Sequence, residues 1–176
     1  MIYDCRDSIV IRDMIQSDAQ IITDEEIAQG WHQTTEKYEM RLRHQAEGKS
    51  VSLVAEYNGA VAGYINVYPD SKWGAFGGQG YPEIVDFGVL EKYRRRGIGT
   101  RLMDIAEQVA GRYADTVYLG VGLHSGYGSA QRMYIRRGYI PDGTGVWYKG
   151  KVCLPYDTLC ANDDDLVLYL SKKLRD

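Results

Sequence analysis

The sequence predicts an α/β domain on a mixed β-sheet, and three observations carry that prediction. Short β-branched runs alternate with segments of helical period, in the order β, α, α, β, β, β, α, β, α, β, β. Residues 51–57 and 60–67 are apolar strands separated by Asn58-Gly59, the pair that suits a type I′ hairpin turn. The chain is 176 residues long without a linker or an internal repeat, the size of a single domain that buries roughly 70% of its unfolded surface.

The elements follow in order. Ser8-Ile9-Val10-Ile11-Arg12 is a short β-branched first strand. Ser17-Asp18 can cap a helix running toward Gln29, which Gly30-Trp31 interrupts; a second helix spans about 34–47 and stops at Gly48. After the hairpin, residues 69–82 form one long glycine-rich loop with Trp73 and Phe76, a length usually functional or mobile. Residues 83–89 return to strand. Ile98, Leu102, Ile105, Ala106, Val109 and Tyr113 then mark one apolar helix face, and Val117, Leu119, Val121 and Leu123 one strand face. Residues 128–137 predict a further helix with Ala130, Met133 and Tyr134 on one side and Gly138 as its C′ residue. The remainder reads as short strands and turns, with a hairpin at Gly150-Lys151 and a last strand over 166–170.

Composition narrows the function classes. Lys and Arg total 21 against 24 Asp and Glu, so the net charge of −3 argues against a general electrostatic partnership with nucleic acid. No uncharged apolar stretch approaches the ~20 residues that cross a bilayer, so no membrane association is expected. Residues 1–7 lack a basic segment followed by an apolar core, so no secretory signal is expected either. Cys5, Cys153 and Cys160 are odd in number without CxxC spacing, which predicts scattered reduced thiols and a cytoplasmic protein. His32, His44 and His124 have no ligand spacing with any Cys or carboxylate cluster, so no metal is expected. Asp163-Asp164-Asp165 reads as a solvated charge run, because adjacent strand residues point to alternate sides.

The strongest chemical signal is Arg94-Arg95-Arg96-Gly97-Ile98-Gly99-Thr100, lying between a strand and an amphipathic helix. A helix start presents unpaired N–H groups and about +0.5 of partial charge, an anion site. Glycines at 97 and 99 let a diphosphate approach the backbone, and the arginines add positive charge. Leu102 stands where a dinucleotide fingerprint would carry its third glycine, and no Gly-Lys-Ser/Thr is present. Taken alone, the segment reads equally as a tight turn with a solvated arginine run.

Arg94, Gly97 and Gly99 meet the Arg/Gln-x-x-Gly-x-Gly/Ala signature, and here the sequence resembles the GNAT superfamily of N-acetyltransferases. The resemblance continues in Ala130-Gln131-Arg132-Met133-Tyr134-Ile135-Arg136-Arg137-Gly138-Tyr139, similar to the family's Ala-x-x-Leu-Tyr-x-x-x-Gly-Phe/Tyr helix end. It covers about residues 50–140. The first 50 residues match in pattern alone, and the last 36 loosely.

This resemblance implies one acetyl-CoA-dependent domain over residues 1–176, with a GNAT-like mixed central sheet flanked by helices. The loop from Arg94 through Arg95, Arg96, Gly97, Ile98 and Gly99 to Thr100 would hold the cofactor's pyrophosphate. A bulge near Phe87, Gly88 and Val89, which Gly88 would permit, would bind the pantetheine and the acetyl carbonyl. Ala130 opens the downstream motif at the pantetheine arm. Tyr127 stands three residues earlier, where the family often has Asn, so one amide contact to that arm is missing.

Transfer to an amine needs the amine deprotonated, the carbonyl polarised and the thiolate stabilised as it leaves. Tyr134 occupies the position that faces the sulfur; it either donates a hydrogen bond to the thiolate or packs on the helix's apolar face. Glu83 is the base candidate, eleven positions before Arg94, the spacing of the general-base glutamate in the histone-acetylating branch. Strand parity places it with Val85, Phe87 and Val89 and sets Asp86 on the opposite face. The alternative is an edge carboxylate, with water as the base.

The expected reaction moves an acetyl group from acetyl-CoA to a primary amine of a small molecule or peptide. The rival is a non-catalytic acyl-CoA-binding module of the same fold, against which Glu83 and Tyr134 argue. Trp31, His32, Trp73, Phe76, Trp147 and Tyr156 are available aromatic walls for the acceptor, and Asp157 and Asp163 could hold an ammonium. Such aromatics serve equally as lids or dimer contacts, so a homodimer stays open.

Overall fold

Three turns bend back through paired left-handed residues: Asp7-Ser8 (φ 50° and 64°), Asn58-Gly59 (51° and 79°) and Lys149-Gly150 (49° and 74°). Left-handed backbone at both central positions gives a turn whose twist matches that of the strands it joins. The second is the hairpin expected from sequence, and the third lies one residue earlier than the expected Gly150-Lys151, because Lys151 already belongs to the following strand. The first joins a strand that the sequence did not predict. The computed structural model describes residues 1–156 and 158–175, and its contacts gather the chain into two compact units. Asp157, a sequence candidate for holding an ammonium, lies outside the described residues.

The first unit is Met1–Tyr68 with Ile84–Val109. It holds β1 (Ile2–Arg6), β2 (Ile9–Asp13), α1 (Gln16–Ala28), α2 (Thr35–Ala46), β3 (Val51–Tyr57), β4 (Ala60–Tyr68), β5 (Glu83–Val89) and α3 (Ile98–Ala110). The five strands neighbour one another in chain order. β2 meets β3 at Ile11↔Ala55, and β3 meets β4 at Leu53↔Ile65, both antiparallel. Leu90 N–H donates to Ala62 O at 2.9 Å, and Asn66 Nδ2 lies 3.5 Å from the Val85 and Asp86 carbonyls. Numbering that rises on one strand as it falls on the other makes β5 antiparallel to β4.

Met14, Ala19, Ile22, Tyr38, Val54, Val61 and Tyr64 form a buried cluster between α1, α2 and the sheet. α3 buries Ile98, Leu102, Met103, Ile105, Ala106 and Val109, the face expected from its periodicity; Tyr113, three residues past the helix end, is exposed. Each such aliphatic side chain contributes about 1.5–3 kcal/mol of burial. α3 packs closely on β4, since a Cβ on Gly63 would lie 3.2 Å from Leu102 Cδ1.

The start of α1 is held differently from the predicted cap. Ile15 is the N-cap, and Asp18, in the first turn, accepts from Ile15 N–H at 2.8 Å. Arg12 grips the same carboxylate through two nitrogens at 2.7 and 2.9 Å and reaches Glu56 at 2.7 Å. Within the apolar cluster, Tyr38 and Tyr64 both donate to the buried Glu26.

The second unit is Pro69–Glu83 with Ala110–Asp176. Its elements are β6 (Thr116–Gly122), α4 (Gly128–Arg136), β7 (Ile140–Tyr148), β8 (Lys151–Val152) and β9 (Leu166–Lys173), with the strands ordered β6-β9-β7-β8. β6 pairs antiparallel with β9, β9 with β7 and β7 with β8. β7 meets β9 at Ile140 and Pro141, leaves the ladder, and rejoins it at Val146. In the excursion Thr144 Oγ1 donates to Asp142 and accepts from Trp147 Nε1.

The long loop over 69–82 is docked in this unit. Tyr118 donates its hydroxyl to Trp73 O at 2.7 Å, and Gly74 lies so close to Tyr169 that a Cβ would come within 2.2 Å of the ring. The thiols also differ from the scattered arrangement expected. Cys153 and Cys160 lie with their sulfurs 2.8 Å apart, and this contact pushes the Cys153 thiol up to about 11. Among the described residues, no helix is long and apolar enough to cross a membrane.

Candidate active site

The predicted anion turn is built from two left-handed residues ahead of α3. After β5, Glu91–Tyr93 makes a single tight turn, and Arg94 is extended. Arg95 then has φ 63° and Gly97 φ 78°. Left-handed residues in such turns aim successive N–H groups into one concavity, the geometry of an anion nest. The first helical bond of α3 runs from Arg101 N–H to Gly97 O at 3.1 Å, so the amides of Ile98, Gly99 and Thr100 have no partner within the helix. Nothing lies within 4 Å of a Cβ built on Gly97. Among the described residues the side of Gly97 where a Cβ would stand is therefore open, and the unpaired amides with the neighbouring arginines suit a negatively charged group.

The two glycines serve different ends. Gly97 answers the left-handed backbone, whereas a Cβ on Gly99 would lie 3.1 Å from Phe87 Cζ. Gly99 therefore lets α3 sit against β5. Ile98 is buried. The arginines are partly tethered: Arg94 stacks over Trp31 at 5.8 Å and Arg96 over Tyr57 at 5.1 Å. Arg95 and Thr100 are exposed. Arg101 ties the helix start to β1 through Asp4 at 2.8 Å.

The strand irregularity sits one residue earlier than expected. Asp86, with φ 48°, is left-handed in mid-strand, whereas Gly88 does not have a positive φ. Gly88 is needed for a different reason: a Cβ there would lie 2.7 Å from the Tyr64 ring. The left-handed residue also breaks the alternation, so the parity that grouped Glu83 with Phe87 and Val89 does not carry across position 86. Asp86 is committed to Arg41 at 2.7 Å from Nε and to Lys37 at 3.5 Å.

In the second unit Glu83 is buried, and Ser71 Oγ donates to its Oε2 at 2.5 Å. Trp73 N–H in turn reaches Ser71 Oγ at 3.2 Å. Tyr118 lies close enough that the negative carboxylate, together with burial as the larger cause, raises its phenol. Tyr134, on α4, is buried with its ring 5.8 Å from Tyr139, and burial pushes its phenol well above the ordinary tyrosine range. Ala130 lies one turn earlier on α4, half-buried. Tyr127 covers Gly122, where a Cβ would lie 2.3 Å from its ring, and donates its hydroxyl to Asp164 at 2.9 Å.

The acidic run is tied down. His124 also reaches Asp164 at 2.9 Å, and Asp163 accepts from Asp165 N–H and from Tyr148. Among the described residues, no group of three or more His, Cys, Asp and Glu could hold a metal ion. Of the aromatic candidates, Phe76 packs on Tyr118 at 5.1 Å and Trp147 meets Tyr169 edge-on at 5.4 Å. Trp73 and Tyr156 are exposed, as is His32. Sequence reasoning missed Ser71, Tyr118 and Arg41. The first lies in a loop without periodicity, and the third is 45 residues from its partner.

The sequence profile described as the Acetyltransferase (GNAT) family matches residues 17–139. The chain belongs to that family. An N-alpha-acetyltransferase of Sulfurisphaera tokodaii is 36% identical over 92 residues, 48% of this chain and 54% of the relative. The chain thus spans about half the length of the curated relative it matches. An acetyltransferase of Desulfovibrio desulfuricans assigned to the GNAT family superposes with a TM-score of 0.70 at 15% identity, covering 95% of this chain and 99% of its own. YncA of Salmonella typhimurium, solved with its cofactor acetyl-CoA, has a TM-score of 0.66 at 18% identity, covering 97% and 96%. The α/β fold expected from the GNAT resemblance is therefore the fold found.

Proposed function

We propose that residues 1–176 act as a single N-acetyltransferase domain that moves an acetyl group from acetyl-CoA to a primary amine by direct attack on the thioester. The observation that carries the reading is the left-handed turn at Arg95 and Gly97, open on the side where a Gly97 Cβ would stand, at the start of α3. It presents unpaired amides and partial positive charge where a diphosphate must be held. Acetyl-CoA supplies the acetyl group already activated as a thioester.

The amides from Gly97 to Thr100 take the diphosphate, with Arg94, Arg95 and Arg96 adding charge around them. The backbone of Phe87, Gly88 and Val89 holds the pantetheine arm and the acetyl carbonyl, and Ala130 leaves room for that arm. Tyr127, tethered to Asp164, lines the arm with a ring rather than an amide. Tyr134 stays protonated at neutral pH, since burial raises its phenol, and so donates a hydrogen bond to the departing sulfur. Glu83, oriented by Ser71, accepts the proton that the amine sheds.

The acceptor is a small molecule or a peptide, and the name of the Sulfurisphaera relative favours a peptide α-amine. The odd cysteine count supports a reducing compartment, the cytoplasm. Release of free coenzyme A is the test, measured with small amines, peptides with free N-termini and the same peptides blocked. Amine-dependent release with free N-termini is the expected result. Acetyl-CoA binding without release for any amine would replace the enzyme with an acyl-CoA-binding module.

A further inference from the structure

Of the described residues, Asp86 is the only non-glycine with a positive φ inside a strand. Every other non-glycine residue with such a backbone lies in a turn or loop, where reversal of the chain accounts for it. A left-handed non-glycine in mid-strand persists only where its surroundings over-determine it. The surroundings here are one face of α2. Lys37, Arg41 and His44 follow at spacings of four and three, so all three point to the same side. Arg41 places Nε and Nη2 on a single oxygen of Asp86, while Lys37 approaches the other oxygen at 3.5 Å. The remaining Arg41 nitrogen, Nη1, donates to the Tyr68 hydroxyl at 2.5 Å, and His44 Nδ1 meets the same hydroxyl at 2.7 Å. Arg41 thus joins the end of β4 to the middle of β5. Both partners are largely enclosed, with side-chain exposures of 16% and 23%, so solvent screens the pair less than it would on an open surface.

The next residues have little freedom of their own. Phe87 touches α3 at Gly99, and Gly88 lies against both Tyr64 and the β4 backbone at Gly63. Packing therefore fixes where this stretch lies, and the backbone turn at Asp86 fixes which way its N–H and C=O groups face.

We propose that Asp86, gripped by Arg41, is a positioning residue: the pair holds the left-handed backbone that aims the amides of Phe87, Gly88 and Val89 at the thioester. This rests on the reading of that stretch as the thioester's seat, and it adds residues that neither family motif contains. Arg41 touches no reacting atom in this scheme. It acts through Asp86, and Asp86 acts through its own backbone.

The experiment compares Arg41→Met, Asp86→Ala, Asp86→Asn and the Arg41→Met/Asp86→Ala double variant with the unaltered chain. Arg41→Met and Asp86→Ala should each lower kcat by about tenfold or more while the KM for acetyl-CoA stays within about threefold, because only the reacting end is misaligned. The double variant should be no slower than the slower single. Asp86→Asn should recover to within about threefold, since asparagine tolerates left-handed backbone and its oxygen still accepts from Arg41. Unchanged kcat in both single variants overturns the proposal. So does an Asn variant as slow as the Ala variant, which would place the carboxylate in the chemistry itself. If Arg41→Met does not fold, Arg41→Lys is read in its place, with a smaller loss of kcat expected and none counting against the proposal. A readout without turnover separates this idea from the acetyltransfer reading. In nuclear magnetic resonance spectra taken without acetyl-CoA, the Phe87, Gly88 and Val89 amides should shift in the Arg41 variant while those of Arg95, Arg96 and Gly97 stay. Unshifted strand amides overturn the positioning role even if no amine is ever acetylated.

Discussion

Ser71 donates its hydroxyl to Glu83 at 2.5 Å, and both residues are buried. The serine is itself held by Trp73 N–H, so the loop over 69–82 takes part in aiming the carboxylate. A carboxylate enclosed in this way keeps one orientation, which a general base requires before its pKa matters.

If Glu83 is the base, Glu83→Gln keeps the Ser71 hydrogen bond but cannot take up a proton. The kcat/KM at neutral pH should fall by about 10²–10⁴. It should recover as the pH rises and solvent deprotonates the amine instead. Profiles from about pH 6 to 10 check this with one accepted amine, the recovery following that amine's own pKa, about 7.7–8.0 for a peptide α-amine and about 10.4 for a lysine-like amine. Parallel profiles for the two proteins would leave deprotonation to water.

Gly97 and Gly99 should fail in different ways. Gly97→Glu puts a carboxylate into the open side of the anion turn, so acetyl-CoA affinity measured by calorimetry should be lost. The left-handed backbone would cost roughly 1–2 kcal/mol of stability. Gly99→Ala instead presses a Cβ to 3.1 Å from Phe87, so its melting temperature should fall while affinity changes less. Unchanged affinity in folded Gly97→Glu would remove the diphosphate from this turn.

Tyr134→Phe deletes one hydroxyl from a buried ring. Its kcat should drop by about 10–1,000-fold with cofactor affinity within a few-fold, a loss of roughly 1.4–4 kcal/mol confined to the transition state. Wild-type kcat under conditions limited by chemistry would return Tyr134 to packing.

Burial raises the phenols of Tyr38, Tyr64, Tyr118, Tyr134 and Tyr169, the last to about 12. A raised pKa means the folded state holds the proton more tightly than the unfolded state. The associated stability is complete below the ordinary tyrosine value of about 10 and is lost as the pH rises beyond it. Phenolate absorbance from these five rings should therefore appear only together with alkaline unfolding. Titration of more than the ten remaining tyrosines near the ordinary value, with near-ultraviolet circular dichroism retained, would contradict their burial.

The parts of this fold that were legible in sequence are the local ones. Asn58-Gly59 marks its hairpin because the turn demands left-handed residues, and the α3 face follows from a period of 3.6. Strand β1 was missed because Ile2-Tyr3-Asp4-Cys5-Arg6 has no apolar alternation; it pairs through backbone at the margin of its unit. The tight turn over residues 94–100 was readable because its glycines and arginines are consecutive. The irregularity in β5 was expected near Gly88, the residue with the most freedom, yet it falls on Asp86, which is held by a residue 45 positions away. Spacing along the chain does not report such a partner. Ser71 and Tyr118 escaped for the same reason: Glu83 finds them by tertiary packing.

The interrupted pairing of β7 with β9 bears on how this protein behaves in crowded solution. A strand at the margin of a sheet offers unpaired amides and carbonyls to any neighbour, and a long flat one seeds aggregates. Here the chain bows away from the ladder between Pro141 and Val146, and among the described residues only the two-residue β8 lies outside it, with Lys149 just before it and Lys151 at its head. A passing strand finds too short a run to zip onto, and lysines to repel it if it is basic. The same bow that spoils the ladder leaves this side of the molecule a poor template for fibres.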